Sequence, residues 1–190
     1  MKNLLNVLVC LIVSFNVLAE SSREKDSHEH GAANVMLAME GEKLQLNFEV
    51  PSESLIGFEH FPKSQDQRWY FNEAIKTLLE PSKLFSIPAN AECLLVGIKV
   101  SQSLFSAEDE HGHDEKDEHG HDESDKSEIH SEFSSKYHWN CEHLDEIDSI
   151  ATQLMNIFPR IEEIRVRWIT KNNQGSIELE SKDDRIKGWK

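Results

Sequence analysis

Along KLQLNFEV, Leu44, Leu46 and Phe48 alternate with Lys43, Gln45, Asn47 and Glu49, the signature of a β-strand with one buried and one wet face. VMLAME just before it has the same β propensity, and Glu40-Gly41-Glu42 between the two runs predicts a hairpin with glycine at the turn. Pro51 ends the second run, and Ser52 to Pro62 is expected to be a loop containing GFEH. From Asp66, residues Trp69, Ala74, Ile75, Leu78 and Leu79 recur roughly at helical spacing, which predicts a helix over about 65–80 closed by Pro81.

LFSIPANAECLLVGIKVSQSLF predicts a strand over about 91–104, and EFSSKYHWNCEH another over about 132–142. LDEIDSIATQLMNIF is amphipathic with a period near 3.6 and stops at Pro159, so it predicts a second helix. IEEIRVRWIT, the NNQG turn and SIELES close the chain as a hairpin. The order ββαββαββ predicts an α+β single domain, with a mostly antiparallel sheet or split barrel of about six strands and two helices.

The first nineteen residues stand apart from this pattern. MKNLLNVLVCLIVSFNVLAE carries one lysine, an apolar run from Leu4 to Leu18 and a Val17-Leu18-Ala19 end suited to signal peptidase, so residues 1–19 are expected to be a cleaved export signal. Asn6 and Asn16 interrupt the run, which keeps it short of a membrane anchor, and residues 20–190 are expected to be one soluble domain. Loss of Lys2 takes the net charge from −15 to −16. With no basic stripe to neutralise phosphates, nucleic acid is excluded as a partner. Cys93 and Cys141 are the two cysteines that follow the signal, and an even pair in an oxidising compartment predicts a disulfide.

Much of the acidity is concentrated in EDEHGHDEKDEHGHDESD, residues 108–125, where ten acids face one lysine. From 106 to 131 the only large aliphatic is Ile129, too little apolar surface to order the segment, so a disordered insert is expected. If Cys93 and Cys141 pair across adjacent antiparallel strands, the register puts Leu95 opposite Trp139, Gly97 opposite Tyr137 and Val96 opposite His138. The insert is then the tip of a long hairpin stapled at its base. His138 is expected to be a core histidine; His143 could cap the following helix or bind metal, and capping is the preferred reading.

A solvated spacer needs no imidazole, yet His111, His113, His119, His121 and His130 all fall in this stretch. Imidazole and carboxylate donors suit Zn²⁺, and a free imidazole is mostly neutral at pH 7. Copper and nickel compete for the same donors, so a copper or nickel buffer is the alternative. Ordering a flexible chain around each ion costs about 1 to 2 kcal/mol per residue fixed, so the insert should hold several ions loosely. Two short motifs could build a tighter site. HEHG sets His28 and His30 on one side if extended, and GFEH offers Glu59 and His60, with Glu59 a ligand, a support for an imidazole or a solvent-facing acid. No HExxH or paired-carboxylate pattern is present, and the chain is expected not to be an enzyme.

HEHGAANVMLAMEGEKLQLNFEVP, GFEHFP, LFSIPANAEC, the His/Asp-rich insert and Tyr137-His138-Trp139-Asn140-Cys141 together resemble the ZrgA family of zinc-uptake proteins in the periplasm of Gram-negative bacteria. The resemblance covers essentially all of the chain after the signal. It implies a soluble periplasmic zinc-binding component working transiently beside an inner-membrane ABC-type importer. It also implies roles in zinc binding for His28, His30, Glu59 and His60.

Overall fold

The computed structural model describes residues 30–104 and 131–190. The signal segment, His28 and the five insert histidines, His111, His113, His119, His121 and His130, lie outside the described residues, as does nearly all of the insert itself.

The first hairpin forms as the alternation requires. β1 (Ala32–Glu40) pairs with β2 (Lys43–Pro51), Glu40 lies opposite Lys43, and Gly41 takes φ +61° in the two-residue turn. β2 continues directly into α1 (Ser52–Ile56), a short helix where the sequence pattern predicts only loop. α2 (Gln65–Leu78) matches the predicted helix. Its start is fixed by a capping box, in which the Ser64 hydroxyl accepts from the Gln67 N–H while the Gln67 side chain accepts from the Ser64 N–H. α3 (Pro81–Leu84) opens on the predicted proline break and leads into β3 (Phe85–Ser86).

β4 (Cys93–Gln102) and β5 (Glu132–Cys141) form the long hairpin, with the Cys93–Cys141 disulfide at its open end. Leu95 does lie opposite Trp139. Beyond it a bulge between Leu95 and Gly97 moves the register by one, so Gly97 faces His138 and Ile98 faces Tyr137. This corrects the register expected from the cysteines alone. An extra residue in one strand re-aims every side chain after it, and here it turns Ile98 in place of glycine toward the Tyr137 side. His138 is exposed on the outer face, not a core histidine: β5 buries Phe133, Ser135, Tyr137, Trp139 and Cys141, and His138 falls on the opposite parity.

The segment read as a second long helix also differs. It folds as a 3₁₀ turn (Leu144–Glu146), β6 (Ser149–Thr152) and α4 (Leu154–Ile157). Ile147, Ile150, Leu154 and Phe158 are buried, which is what mimicked helical spacing. Pairing decides the outcome, because β6 lies between β3 and β9 (Arg185–Lys187), with Ile150 opposite Ile186 and Thr152 opposite Phe85. β7 (Glu163–Thr170) and β8 (Gln174–Leu179) make the predicted closing hairpin.

Six strands form one sheet in the order β4-β5-β2-β1-β7-β8, and β3-β6-β9 form a second. The large sheet is antiparallel except for β1 against β7, which run parallel with Val35 beside Val166. The fold is thus α+β as expected. The described strands form open sheets, so the split-barrel alternative does not apply.

One face of the large sheet carries Val35, Leu37, Leu46, Phe48 and Val166, and these join Leu84, Ile150 and Ile186 from the small sheet's side in a single core. α2 is tied to that core by the Tyr137 hydroxyl, which donates to the Leu78 carbonyl at 2.8 Å, and by Phe71 against Phe133 at 5.7 Å between ring centres. Among the described residues no helix is long and apolar enough to cross a membrane.

Candidate functional site

The candidate site lies where β1 begins and where α1 ends, and backbone geometry brings those two points together. Gly31 takes φ +87°, a left-handed conformation that glycine adopts without strain. Its N–H donates to the Ser54 hydroxyl of α1 at 2.9 Å, while its carbonyl accepts from the Glu162 and Glu163 N–H groups at 2.8 and 3.1 Å. Gly57, at φ +86°, ends α1 with its N–H bonded to the Glu53 carbonyl at 2.8 Å. The chain reverses there and sends Phe58, Glu59 and His60 back along the helix end.

As a result, the HEHG and GFEH motifs meet: His30 Nε2 lies 3.8 Å from Glu59 Oε1. That is longer than a hydrogen bond and close to the separation of two donors sharing one small cation. Tetrahedral ligands at zinc distances of 2.0 to 2.2 Å are roughly 3.4 Å apart. His30 is well exposed and Glu59 about four-fifths covered, so the carboxylate is the fixed member of the pair. His60 is exposed, with its ring stacked on Phe58 at 5.2 Å between centres and its Nδ1 2.9 Å from the Phe61 carbonyl. A carbonyl only accepts, so Nδ1 carries the proton and the lone pair of the neutral ring sits on Nε2, the arrangement of a metal-ligating histidine held by an outer partner.

The sequence pattern gave no reason to single out two residues that also border this site. The Glu162 carboxylate packs beside Gly31, 3.6 Å from where a Cβ would stand, and the Arg160 guanidinium lies across Gly57, 2.9 Å from the corresponding point. Both come from the loop before β7, and only the parallel β1–β7 pairing brings that loop here.

The insert leaves the domain at this same end. The Ser52 N–H donates to the Ser131 carbonyl at 2.8 Å, and the Glu132 N–H to the Ser103 hydroxyl at 2.8 Å, so both described margins of the insert flank the start of α1.

Among the described residues, the three ligand atoms that all lie within 4.8 Å of one another belong instead to Glu92, Glu142 and His143, at the disulfide end of the β4–β5 hairpin. His143 makes no side-chain capping bond to the turn it precedes, contrary to the capping role expected of it.

Fold and site together define a small α+β sheet protein that collects imidazole and carboxylate donors at one end of its main sheet. The chain belongs to the ZrgA family: the model of the "ZrgA family zinc uptake protein" matches residues 27–188. No curated protein matches it. The family is one of zinc uptake and not an enzyme family.

Proposed function

We propose that this protein is exported to the periplasm, captures Zn²⁺ there and supports its import through an inner-membrane ABC-type permease. Zinc is cargo in this reading. The insert histidines meet the ion first and hold it loosely, and His28, His30, Glu59 and His60 take it over, with the backbone bonds of Gly31 and Gly57 holding the chain near His30 and Glu59. The observation that carries the proposal is the meeting of HEHG with GFEH, His30 Nε2 at 3.8 Å from Glu59 Oε1, at the sheet end from which the insert departs.

The donor chemistry agrees with the cargo. Imidazole and carboxylate together suit Zn²⁺, and the exposed His30 and His60 leave open positions through which an ion can be passed on. Glu59 has a distinct part. Its partial burial fixes a negative charge beside an imidazole, which offsets the ion's charge without adding a mobile ligand.

The test is zinc accumulation by cells lacking the chromosomal copy and grown under zinc limitation, complemented with wild type, with His30→Ala/Glu59→Gln, or with the insert deleted. The proposal expects wild type to restore uptake and the double variant to fail. Equal restoration by the double variant would refute the site. Full uptake without any copy of the chain would refute the importer role.

A further inference from the structure

We propose a second divalent-cation site formed by Glu92, Glu142 and His143, of the class that takes Zn²⁺, and separate from the HEHG and GFEH pair. The two lie at opposite ends of the main sheet. β1 runs nine residues from the His30 end to the Gly41 turn, which is about 30 Å at strand rise, and Cys141 meets that turn by donating its N–H to the Glu42 carbonyl.

The three donors are brought together by covalent and backbone constraints. Glu92 immediately precedes Cys93 and Glu142 immediately follows Cys141, so the disulfide fixes both carboxylates on neighbouring chain ends. The Glu142 N–H donates to the Glu92 carbonyl at 3.4 Å and the His143 N–H to the Ala91 carbonyl at 3.1 Å. Asn90 Nδ2 donates to Glu146 Oε2 at 3.2 Å, which ties the flanking 3₁₀ turns (Ala89–Ala91 and Leu144–Glu146) to each other.

The donor set points to an ion in three ways. Two carboxylates and an imidazole have their ligand atoms all within 4.8 Å of one another, and exposed side chains need move only about 1 Å to reach the roughly 3.4 Å spacing of tetrahedral zinc ligands. None of the three side chains spends its donor atoms on a hydrogen bond or ion pair among the described residues. Lys171 and Lys190 line a neighbouring cavity with Glu142, yet Lys190 is taken by Asp148, and among the described residues no lysine forms an ion pair with either carboxylate. The imidazole sets the metal class, since Ca²⁺ and Mg²⁺ favour all-oxygen sites while Zn²⁺ accepts mixed nitrogen and oxygen donors. Glu92 also lines a groove of about 720 Å³ beside β4 and β3, which leaves space next to the ion for water or an exchangeable ligand.

The experiment is a Zn²⁺ titration of the protein with its insert in place and its histidines ¹³C-labelled, following the ring resonance of His143, assigned by its loss in His143→Ala. The expected result is movement of that resonance at micromolar Zn²⁺. Glu92→Gln/Glu142→Gln should raise the concentration needed by at least about tenfold, the least that losing even an outer partner costs a metal site. His30→Ala/Glu59→Gln should leave the His143 response unchanged, so failure of the HEHG and GFEH reading is told apart from failure of this one. A His143 resonance unmoved up to millimolar Zn²⁺, a response equal in the Glu92→Gln/Glu142→Gln variant, or an equal response to Ca²⁺ would each overturn the proposal. Glu92, Glu142 and His143 are exposed, so these variants are expected to fold, and an unchanged melting temperature checks that they do.

Discussion

Replacing both Cys93 and Cys141 with alanine should cost this fold about 4 kcal/mol. The two cysteines are 48 residues apart, and cross-linking a loop of that length removes about 14 cal/mol/K from the unfolded chain, or ~4 kcal/mol at 25 °C. At roughly 2–4 °C per kcal/mol for a chain of this size, the melting temperature should fall by about 8 to 16 °C. Urea unfolding of wild type and the double variant, without reductant, gives the difference directly. The insert sits inside the disulfide loop, which allows a sharper check. Deleting residues 108–125 shortens the loop from 48 to 48 − 18 = 30 residues. In the chain-entropy model the disulfide's contribution then falls by only about 0.4 kcal/mol, since closure entropy varies with the logarithm of length. A double-variant loss under about 1 kcal/mol would refute the entropic account. A change of more than about 1.5 kcal/mol on insert deletion would show that the insert packs on the domain instead of acting as spacer in the loop, because additivity would then fail.

Two further predictions rest on single side chains. Burial pushes the Tyr137 phenol up to about 12, against an ordinary value of 10.0. The folded state therefore holds this proton more tightly than the unfolded chain, and the associated stability is fully present below pH 10 and is lost as pH rises from 10 toward 12, by about 2 to 3 kcal/mol. In Tyr137→Phe that extra loss should vanish, while stability at pH 7 drops by about 1 kcal/mol for the missing bond to Leu78; equal slopes above pH 10 in urea titrations of the two proteins would contradict the assignment. Gly57→Ala places a Cβ at φ +86° and against the flexible end of Arg160. It should cost about 1 kcal/mol in stability and several-fold in zinc affinity through the displaced Glu59, as read by thermal melting and calorimetry; unaltered zinc affinity would remove GFEH from the site.

The elements that were legible in the sequence are those whose local pattern and tertiary pairing agree. In β2 the alternation of Leu44, Leu46 and Phe48 with polar residues is reproduced as buried positions between exposed or half-buried ones, and Ser64 with Gln67 forms the box that starts α2. The Cys93–Cys141 bond and the start of the β4–β5 register followed from cysteine count and strand propensity alone. Where the reading failed, distant partners decided the conformation. Ile150 is spaced as if on a helix but pairs with Ile186, whose short strand carries too few residues to announce itself. The bulge after Leu95 adds one residue to β4; Gly97 beside it is the residue type that marks such a bulge, a signal that a register drawn from the cysteines alone does not use. The site shows the same division. HEHG and GFEH stood out by composition, whereas Glu162 and Arg160 border them only through the parallel pairing of β1 with β7, and the Glu92–Glu142–His143 group arises from two chain ends joined by the disulfide.

The central claim is that the folded domain holds zinc independently of the insert. Zn²⁺ calorimetry with a competing chelator, on the chain from residue 20 with and without residues 108–130, tests it most directly. The account predicts that deletion removes several weakly held ions and leaves tight binding that His30→Ala/Glu59→Gln then weakens by at least about tenfold. Disappearance of all binding with the insert would contradict it, and would leave His30 and Glu59 as a surface pair with no part in holding the metal.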